Sequence, residues 1–395
     1  MFITDAVILH GARTPMTRYN GVFDNTTAID LGAAASRAAI ERSKANPAEF
    51  DHVVFGNVMQ TSADALYGAR HVGLKAGLPE ETPAVTVNRL CGSGIEAVSQ
   101  AAQRILLGEA TLVLAGGMEN MSQCPHVIRG ARSGFRLGEG KLEDSLMSGL
   151  YDTYCGFSMS ETAENLAAEQ GITRRASDEY ALRSQQAAEA AFKACRMKEE
   201  IAPVEVKKGK KTITVSDDDH RRPETTMETL ESLPPAFRKD GIVTAGNASG
   251  IVDGAAALVV THAKIAKERG LKPLGRIVSW AAAGVPPRIM GIGPVPAIQK
   301  ALALAGLKLS QLDLVEVNEA FAAQYLAVEK VLGLDRNKTN VNGGAIALGH
   351  PLAASGARLL LTLLFELRRC GARYGVASAC IGGGQGIAMI VESLS

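Results

Sequence analysis

Short apolar runs alternate with amphipathic segments at both ends of the chain. In the first third this pattern predicts strands at 3–10, 51–55, 84–87 and 111–115 and helices at 27–43, 64–76 and 95–107, with a loop at 11–15. In the last third it predicts strands at 276–280, 313–317 and 374–379, a helix at 296–305, and a helix that follows Pro351 and runs to roughly 369. Alternating strands and helices predict an α/β fold with a largely covered sheet.

The two ends of the chain follow one plan, which we interpret as an internal duplication. Cys91 in the first part and His350 in the last each precede a long helix, a glycine stop and a buried strand. In both parts a helix is also followed by Asp-x-Val-x-hydrophobic, beginning at Asp51 and Asp313. Two similar βα units packed together are therefore expected.

Residues 118–249 interrupt this plan with more charge, methionine and turns. Ser158 is predicted to open a helix as a capping box, Thr173 to cap a helix that runs to about 200, and Lys207–Lys211 to form a basic hairpin tip. We interpret the block as an insertion that caps an active site, makes oligomer contacts, or both. The predicted organisation is a first half at 1–117, completed by about 250–270, the insertion at 118–249, and a second half at 271–395.

Composition narrows the function classes. The net charge is +1, so bulk electrostatics suggest neither a nucleic-acid partner nor a membrane partner. No run of 18 or more apolar residues is present. The six cysteines include no CxxC pair, so neither a metal site nor a disulfide framework is expected. The N-terminal stretch resembles a first strand rather than a signal peptide, and the cytosol is the expected location.

Cys91 is the candidate nucleophile. It lies in Asn88-Arg89-Leu90-Cys91-Gly92-Ser93-Gly94, between a predicted strand and a predicted helix. Free backbone N–H groups and the positive end of the helix dipole at such a turn favour the thiolate. The alternative is a buried cysteine that packs as a small hydrophobe.

Three further residues occupy strand ends or helix starts, where α/β sheets place their ligands. His350 lies in Gly349-His350-Pro351, Cys380 begins a glycine-rich segment that runs to Gly386, and Asn318 follows a predicted strand. Each has a structural alternative: a core histidine bonded to a carbonyl, a packing cysteine and a helix cap. The glycine turns beside three of the four candidates favour the catalytic interpretation.

These segments together resemble the thiolase family, of the acetyl-CoA acetyltransferase kind. The matching motifs run from end to end of the chain in family order: Gly11–Pro15, Asn88–Gly94, Gly116–Glu119, Thr244–Gly250, Asn318–Ala322, Gly349–Pro351 and Cys380–Gly386. The resemblance implies two similar halves packed as a layered αβαβα core, with an inserted loop domain.

The resemblance also implies a ping-pong acyl transfer. Cys91, deprotonated by His350, attacks an acyl-CoA thioester, and CoA leaves an acyl-enzyme. Cys380 then removes an α-proton from a second acetyl-CoA, whose carbanion attacks the acyl group. One oxyanion hole comes from His350 and a water held by Asn318, and the other from the backbone N–H groups of Cys91 and Gly382. Thiolysis of a 3-oxoacyl-CoA is the reverse reaction, and no metal or permanently bound cofactor is needed.

Coenzyme A and acetyl-CoA are therefore the implied ligands, as substrates. The residues that the resemblance assigns to CoA binding are Arg222, Phe237, Ala248, Ser249, Leu150, Met159, Ala320 and Phe321. An arginine suits a phosphate-bearing adenosine end, and the alternative for Arg222 is an exposed arginine. The implied assembly is a homotetramer, a dimer of dimers, with 118–145 as its tetramer contact.

Two departures from the family pattern bear on these expectations. Many biosynthetic members carry histidine where Ser158 stands, so the preferred acyl chain is open, and Met159 and Met290 are too flexible to decide it. Glycine usually stands where Ala353 is found, and we expect a helix to begin there. A longer-chain 3-ketoacyl-CoA thiolase, a 3-ketoacyl synthase, a non-catalytic acyl-CoA-binding subunit and a cysteine hydrolase are the alternative functions.

Overall fold

The computed structural model describes residues 4–394. The first residue of the predicted strand 3–10 and the outermost residues of the predicted segments 1–117 and 271–395 lie outside it. The strands are β1 Ala6–Arg13, β2 Thr17–Arg18, β3 His52–Gly56, β4 Ala84–Val87, β5 Leu112–Glu119, β6 His126–Ile128, β7 Leu142–Asp144, β8 Tyr151–Asp152, β9 Phe157–Ser158, β10 Val204–Lys208, β11 Lys211–Val215, β12 Val252–His262, β13 Gly275–Gly284, β14 Leu314–Val317, β15 Tyr374–Ile381 and β16 Gln385–Ser393. The α-helices are α1 Ala28–Ser43, α2 Gly68–Lys75, α3 Ser93–Leu106, α4 Ser145–Gly149, α5 Met159–Gln170, α6 Arg174–Lys193, α7 Met227–Glu231, α8 Ala263–Glu268, α9 Pro294–Ala305, α10 Ala322–Leu332, α11 Ala345–Leu348 and α12 Leu352–Cys370.

One large sheet carries the strand order β14-β15-β16-β13-β1-β12-β5-β3-β4, and β2 pairs with β12. In the first part β3 is parallel to β5, β5 is antiparallel to β12, and β12 is antiparallel to β1. In the last part β14 is parallel to β15, β15 is antiparallel to β16, and β16 is antiparallel to β13. The same order and directions therefore occur twice, and the two sets meet where β1 pairs with β13. This repeat supports the predicted duplication.

Helices α3 and α12 form the middle layer of the fold. Their apolar side chains, among them Ile95 and Leu360, share one buried cluster with strands from both parts of the sheet. A second cluster joins α1 and α2 to the outer face of the first part, and a third joins α9 and α10 to the outer face of the last part. Because successive strand residues face opposite sides, each half of the sheet is covered by helices on both faces. The predicted α/β class with layers in the order αβαβα is confirmed.

The two central helices cross at backbone contact distance. A Cβ atom on Gly94 of α3 would lie 2.4 Å from the Ala357 nitrogen and 2.8 Å from the Ala353 oxygen of α12. A Cβ atom on Gly356 would lie 2.6 Å from the Ile95 nitrogen. Only glycine leaves room for this approach. The crossing fixes the separation of the helix starts that follow Cys91 and His350.

Most predicted elements are present, but several predicted boundaries were wrong. The predicted loop at 11–15 begins too early, because β1 continues to Arg13 through its pairing with β12. The helix capped by Thr173 ends at Lys193 rather than near residue 200, and a short 3₁₀ helix follows at Arg196–Glu199. The basic hairpin tip is confirmed as the turn between β10 and β11.

Residues 118–249 hold short strand pairs and helices α4–α7 outside the large sheet, apart from the end of β5. The predicted division of the chain into two halves and an insertion stays a prediction. Within residues 4–394, no helix has the length and hydropathy needed to cross a membrane. Nor does that part of the chain contain a group of three or more His, Cys, Asp or Glu side chains able to hold a metal ion.

Candidate active site

Cys91 lies in a tight turn between β4 and α3. Residues Leu90–Gly92 form a 3₁₀ turn that leads directly into the helix. Leu90 has a φ of 46°, in the left-handed region that non-glycine residues rarely adopt. The Asn88 side chain accepts a hydrogen bond from the Leu90 N–H at 2.9 Å, and the Ser93 hydroxyl donates to the Leu90 carbonyl at 2.7 Å. These local bonds hold a strained backbone that presents the thiol.

The sulfur of Cys91 is surrounded by protein except where it faces a cavity. Burial raises the pKa of Cys91 to about 11, and the charge of Glu119 adds to the effect. The backbone N–H groups of Gly382 and of Cys91 itself lower this pKa by hydrogen bonding. The expected stabilisation of a resting thiolate is thus outweighed by burial. Cys91 is therefore a neutral thiol at rest, and a nucleophilic role would require a base that removes its proton.

Cys380 is the second buried thiol of the site. It lies near the end of β15, is fully buried, and packs in one cluster with Met290 and Ala320. Burial raises its pKa well above that of a free cysteine, and the charge on an ionised Cys91 raises it further. Because each thiolate disfavours the other, the two thiols do not ionise together.

His350 lies between α11 and α12, and its ring faces Asn318 at the end of β14. The Asn318 Nδ2 atom is 3.4 Å from His350 Nε2. The backbone fixes both residues, because the His350 N–H donates to the Gly250 carbonyl at 2.9 Å and the Asn318 N–H donates to the Ser378 carbonyl at 2.9 Å. Burial lowers the pKa of His350 to about 3, and the nearby Arg358 guanidinium contributes. The imidazole is therefore neutral at physiological pH and carries a lone pair on one ring nitrogen.

Cys91 and His350 open into one largely apolar cavity of about 260 Å³. Seven of the predicted CoA-binding residues line it: Leu150, Met159, Phe237, Ala248, Ser249, Ala320 and Phe321. Backbone contacts connect four of these residues. Ala248 forms an isolated antiparallel β-bridge with Phe321, and the Met159 N–H donates to the Leu150 carbonyl at 2.9 Å. The inserted block and the last third of the chain thus build the cavity together.

The other predicted site residues lie outside this cavity lining. Asn318 and Cys380 are fully buried, and the N–H of Gly382 faces the Cys91 sulfur. Arg222 is exposed and lines a separate cavity of about 180 Å³, together with His220 and Ala245. Residues 245–250 contribute to both cavities, which are therefore neighbours along one loop.

Comparison with known proteins matches two family profiles to this chain. The thiolase N-terminal domain profile matches residues 6–264, and the thiolase C-terminal domain profile matches residues 271–393. The chain belongs to the thiolase family. It is 54% identical over 389 residues to the human mitochondrial 3-ketoacyl-CoA thiolase, covering 98% of each chain. It is 52% identical over 393 residues to the acetyl-CoA acetyltransferase of Escherichia coli, covering 99% of this chain and 100% of that protein.

Solved structures agree with this assignment. The crystal structure of human mitochondrial 3-ketoacyl-CoA thiolase superposes with a TM-score of 0.97 at 53% identity, over 99% of both chains. The same human enzyme in complex with CoA gives a TM-score of 0.96 over 98% of both chains. The protein is a thiolase-type acyltransferase, as the sequence motifs predict.

The two departures from the thiolase pattern have structural explanations. Ser158 caps α5 in a capping box with Glu161, as predicted, and also lines the cavity. Ala353 lies in the first turn of α12, also as expected, so no left-handed backbone is required of it. Its N–H donates to Glu119 at 3.1 Å, and its carbonyl abuts Gly117.

Several residues of this thiolase site were not found from the sequence. The cavity is also lined by Met121, Met147, Tyr151, Ser160, Ile251 and Leu352. Ser355 lies 2.5 Å from His350 through its hydroxyl, and Arg358 influences His350 by its charge. Ser355 and Arg358 offered a signal, since both are polar residues within the otherwise apolar first half of α12, residues 352–361. The cavity methionines offered none, because their contacts depend on tertiary packing.

Proposed function

We propose that this thiolase condenses two acetyl-CoA molecules to acetoacetyl-CoA and CoA, and catalyses the reverse thiolysis, through an acyl-Cys91 intermediate. The observation that carries the proposal is the environment of the Cys91 sulfur. It faces the N–H of Gly382 and opens into the cavity that His350 also lines. A nucleophile, a neutral base and an oxyanion donor thus surround one space.

In the first half-reaction, His350 Nε2 takes the proton of Cys91. The resulting thiolate attacks the thioester carbonyl, and the negative oxygen is bound by the N–H groups of Cys91 and Gly382. The bond to the CoA sulfur then breaks, and the departing thiolate takes the proton back from His350. This sequence needs a histidine that is neutral at rest, which the lowered pKa of His350 provides.

In the second half-reaction, Cys380 acts as the base. His350 Nε2 takes the proton of Cys380, and the Cys380 thiolate removes an α-proton from the second acetyl-CoA. The carbanion attacks the acyl group on Cys91, the thioester bond to Cys91 breaks, and the departing Cys91 thiolate takes the proton back from His350. His350 and Asn318 converge on the position of the enolate oxygen, with a water held by Asn318 as the second donor. Since ionised Cys91 opposes ionisation of Cys380, acylation of Cys91 removes that opposition before Cys380 has to act.

We propose that CoA occupies the apolar cavity through its pantetheine arm and reaches Arg222 with its nucleotide end. The loop at 245–250 separates the two cavities and touches both. Phe237 is 49% exposed, which fits a side chain at the mouth of the tunnel. Arg222 is exposed, and its guanidinium suits a phosphate group.

The second candidate is a 3-ketoacyl-CoA thiolase that prefers longer chains. Two observations favour it: four methionines line the cavity (Met121, Met147, Met159 and Met290), and the human relative carries that name. Methionine side chains adapt to ligands of different shape. A series of 3-oxoacyl-CoA substrates of increasing length separates the two candidates by their kcat/KM values.

We propose a cytosolic homotetramer, with residues 118–249 serving both CoA binding and oligomer contacts. Strand β4 is the last strand of the sheet, so its outer edge is available to a second copy. A larger cavity of about 860 Å³ lies beside β4, and exposed Leu66 and Tyr67 line it. In the 118–145 segment, Leu137 and Leu142 are also exposed. Light scattering of the purified protein and cell fractionation test the assembly and the location.

The deciding experiment is CoA-dependent thiolysis of acetoacetyl-CoA, followed by loss of the thioester–enolate absorbance. We expect turnover in the wild type and in Cys195→Ala, which changes an exposed cysteine, and none in Cys91→Ala. Turnover that survives Cys91→Ala would contradict the acyl-enzyme route. CoA binding without turnover on any chain length would instead support a non-catalytic subunit, and thioester hydrolysis without CoA would support a hydrolase.

A further inference from the structure

Glu119 is a fully buried carboxylate with no role in the reaction described above. It ends β5 and closes the segment Gly116–Glu119. Its Oε1 atom accepts hydrogen bonds from the Met59 N–H at 2.8 Å and from the Asn57 side chain at 3.1 Å. Its Oε2 atom accepts from the Val58 N–H at 3.2 Å and from the Ala353 N–H at 3.1 Å. Four donors on one buried carboxylate form a complete, specific site.

These four bonds join the two parts of the chain beside the catalytic residues. Ala353 lies in the first turn of α12, three residues after His350. Asn57 follows β3, and its N–H donates to the Val87 carbonyl at 3.2 Å, at the end of the strand that leads to Cys91. Glu119 therefore connects the helix start behind His350 to the strand end in front of Cys91.

The same carboxylate also acts on the nucleophile by its charge. The negative charge of Glu119 contributes to the raised pKa of Cys91, after burial. Burial raises the pKa of Glu119 itself to about 7, opposed by the three backbone N–H bonds, and Asp253 of β12 raises it further. The other titratable groups around this pair are Cys124, Cys380 and His350 with Arg358 behind it.

We propose that Glu119 is a positioning residue that sets His350 against Cys91 by holding the start of α12 to the strand ends of the first part of the chain. The inference rests on the thiolase reaction proposed above. A carboxylate at this helix start also meets free N–H groups and the positive end of the helix dipole. Without it, the α12 start loses its bond to the nucleophile side of the site.

The first test is Glu119→Gln, which keeps the shape of the side chain. Its amide NH₂ must face an N–H donor, so either the 57–59 loop or Ala353 loses its acceptor. We expect kcat for acetoacetyl-CoA thiolysis to fall roughly tenfold to a hundredfold, as for a small misplacement of reacting groups. KM is expected to stay within roughly twofold, because Glu119 does not line the substrate cavity.

The second measurement is the pH dependence of Cys91 alkylation by iodoacetamide, followed on the Cys91 peptide by mass spectrometry. In Glu119→Gln the midpoint is expected at lower pH than in the wild type, since a negative charge has been removed. Glu119→Asp keeps the charge but is too short to reach both sides, so its midpoint stays near the wild-type value while kcat falls. A purely structural defect would not separate the two readouts in this way.

Asp51→Asn is the matched control. Asp51 accepts hydrogen bonds from the backbone of Thr111 and Leu112, at the opposite end of β5. The Asp51→Asn substitution is expected to leave kcat and the alkylation midpoint unchanged. A folded Glu119→Gln variant with wild-type kcat overturns the proposal. If Glu119→Gln does not fold, a folded Glu119→Asp variant with wild-type kcat overturns it instead. If the wild type shows no thiolysis, the proposed function fails, whereas the alkylation midpoints still report whether Glu119 acts on Cys91.

Discussion

The Ser355 hydroxyl lies 2.5 Å from Nδ1 of His350 and 3.3 Å from the Pro351 carbonyl. Because the carbonyl can only accept, Ser355 donates to Pro351 and accepts from the Nδ1–H of His350. The Asn318 Nδ2–H group then donates to Nε2 on the other side of the ring. One tautomer satisfies every partner, with the proton on Nδ1 and the lone pair of Nε2 accepting from Asn318. Ser355 thus fixes the His350 tautomer that the proposed role as a base requires.

Ser355→Ala is expected to lower kcat for thiolysis by roughly tenfold or more, because His350 loses the group that fixes its tautomer. KM is expected to change little, since Ser355 does not line the cavity. The comparison is with Ser279→Ala, another buried hydroxyl that donates to a carbonyl, that of Ala301, away from the site. Equal losses in the two variants, measured by steady-state thiolysis, would remove Ser355 from the mechanism.

The positions of the four proposed catalytic residues were predictable from the sequence, because each follows a short apolar strand or precedes a helix. The structure places Cys91, Asn318, His350 and Cys380 at such positions, as the pattern predicts. The strand–turn–helix unit around Cys91 needs only local signals: β-branched residues, a polar turn and an amphipathic helix.

The long antiparallel pairing at the centre of the sheet was not predictable in the same way. The glycines of β5 suggest an end to the strand, yet β5 continues to Glu119 because β12 pairs with its whole length. Neither β12 nor β16 was predicted, although both contain long apolar runs. Non-local pairing overrides local propensity here. Glu119 and Ser355 were missed for a related reason, since their partners come from separate segments.

The stability of the protein is expected to fall in acid partly because His350 is buried as a neutral ring. Its pKa is lowered from 6.5 to about 3, so the unfolded chain binds more protons than the native state between these pH values. The free energy of unfolding therefore falls as pH decreases through this window, by roughly 1.4 kcal/mol per pH unit from this residue. Urea titrations at several pH values between 6.5 and 4.5 measure the slope.

His350→Asn is expected to show a shallower decrease than the wild type over the same pH range. The control is His126→Asn, whose side chain is exposed on β6 and solvated in both states. It is expected to keep the wild-type slope. A His350→Asn variant with the full wild-type slope would show that the acid sensitivity comes from other buried groups.

Gly94→Ala is expected to destabilise the protein and to lower activity together. The added Cβ would lie 2.4 Å from the Ala357 nitrogen, and the backbone of a buried helix cannot move away cheaply. Overpacking of this kind costs about 1–3 kcal/mol. Because α3 and α12 begin beside Cys91 and His350, their separation also misplaces the nucleophile and its base. Urea unfolding and thiolysis rates measure the two effects.

The control for Gly94 is Gly284→Ala at the end of β13. There the nearest atom to an added Cβ, the Gly384 oxygen, lies 4.0 Å away. We expect near-normal stability and activity for this variant. A stable and fully active Gly94→Ala protein would show that the helix crossing tolerates expansion and does not set the geometry of the site.

Cys380→Ala is expected to separate the two half-reactions. Cys91 and His350 remain, so acetyl-CoA still acylates Cys91, and mass spectrometry of the intact protein detects the acyl-enzyme. Condensation is expected to fall by roughly a hundredfold or more, because no base removes the α-proton of the second acetyl-CoA. Acetoacetyl-CoA formation at the wild-type rate would assign the base to another residue, and loss of acylation as well would mean that Cys380 acts already in the first half-reaction.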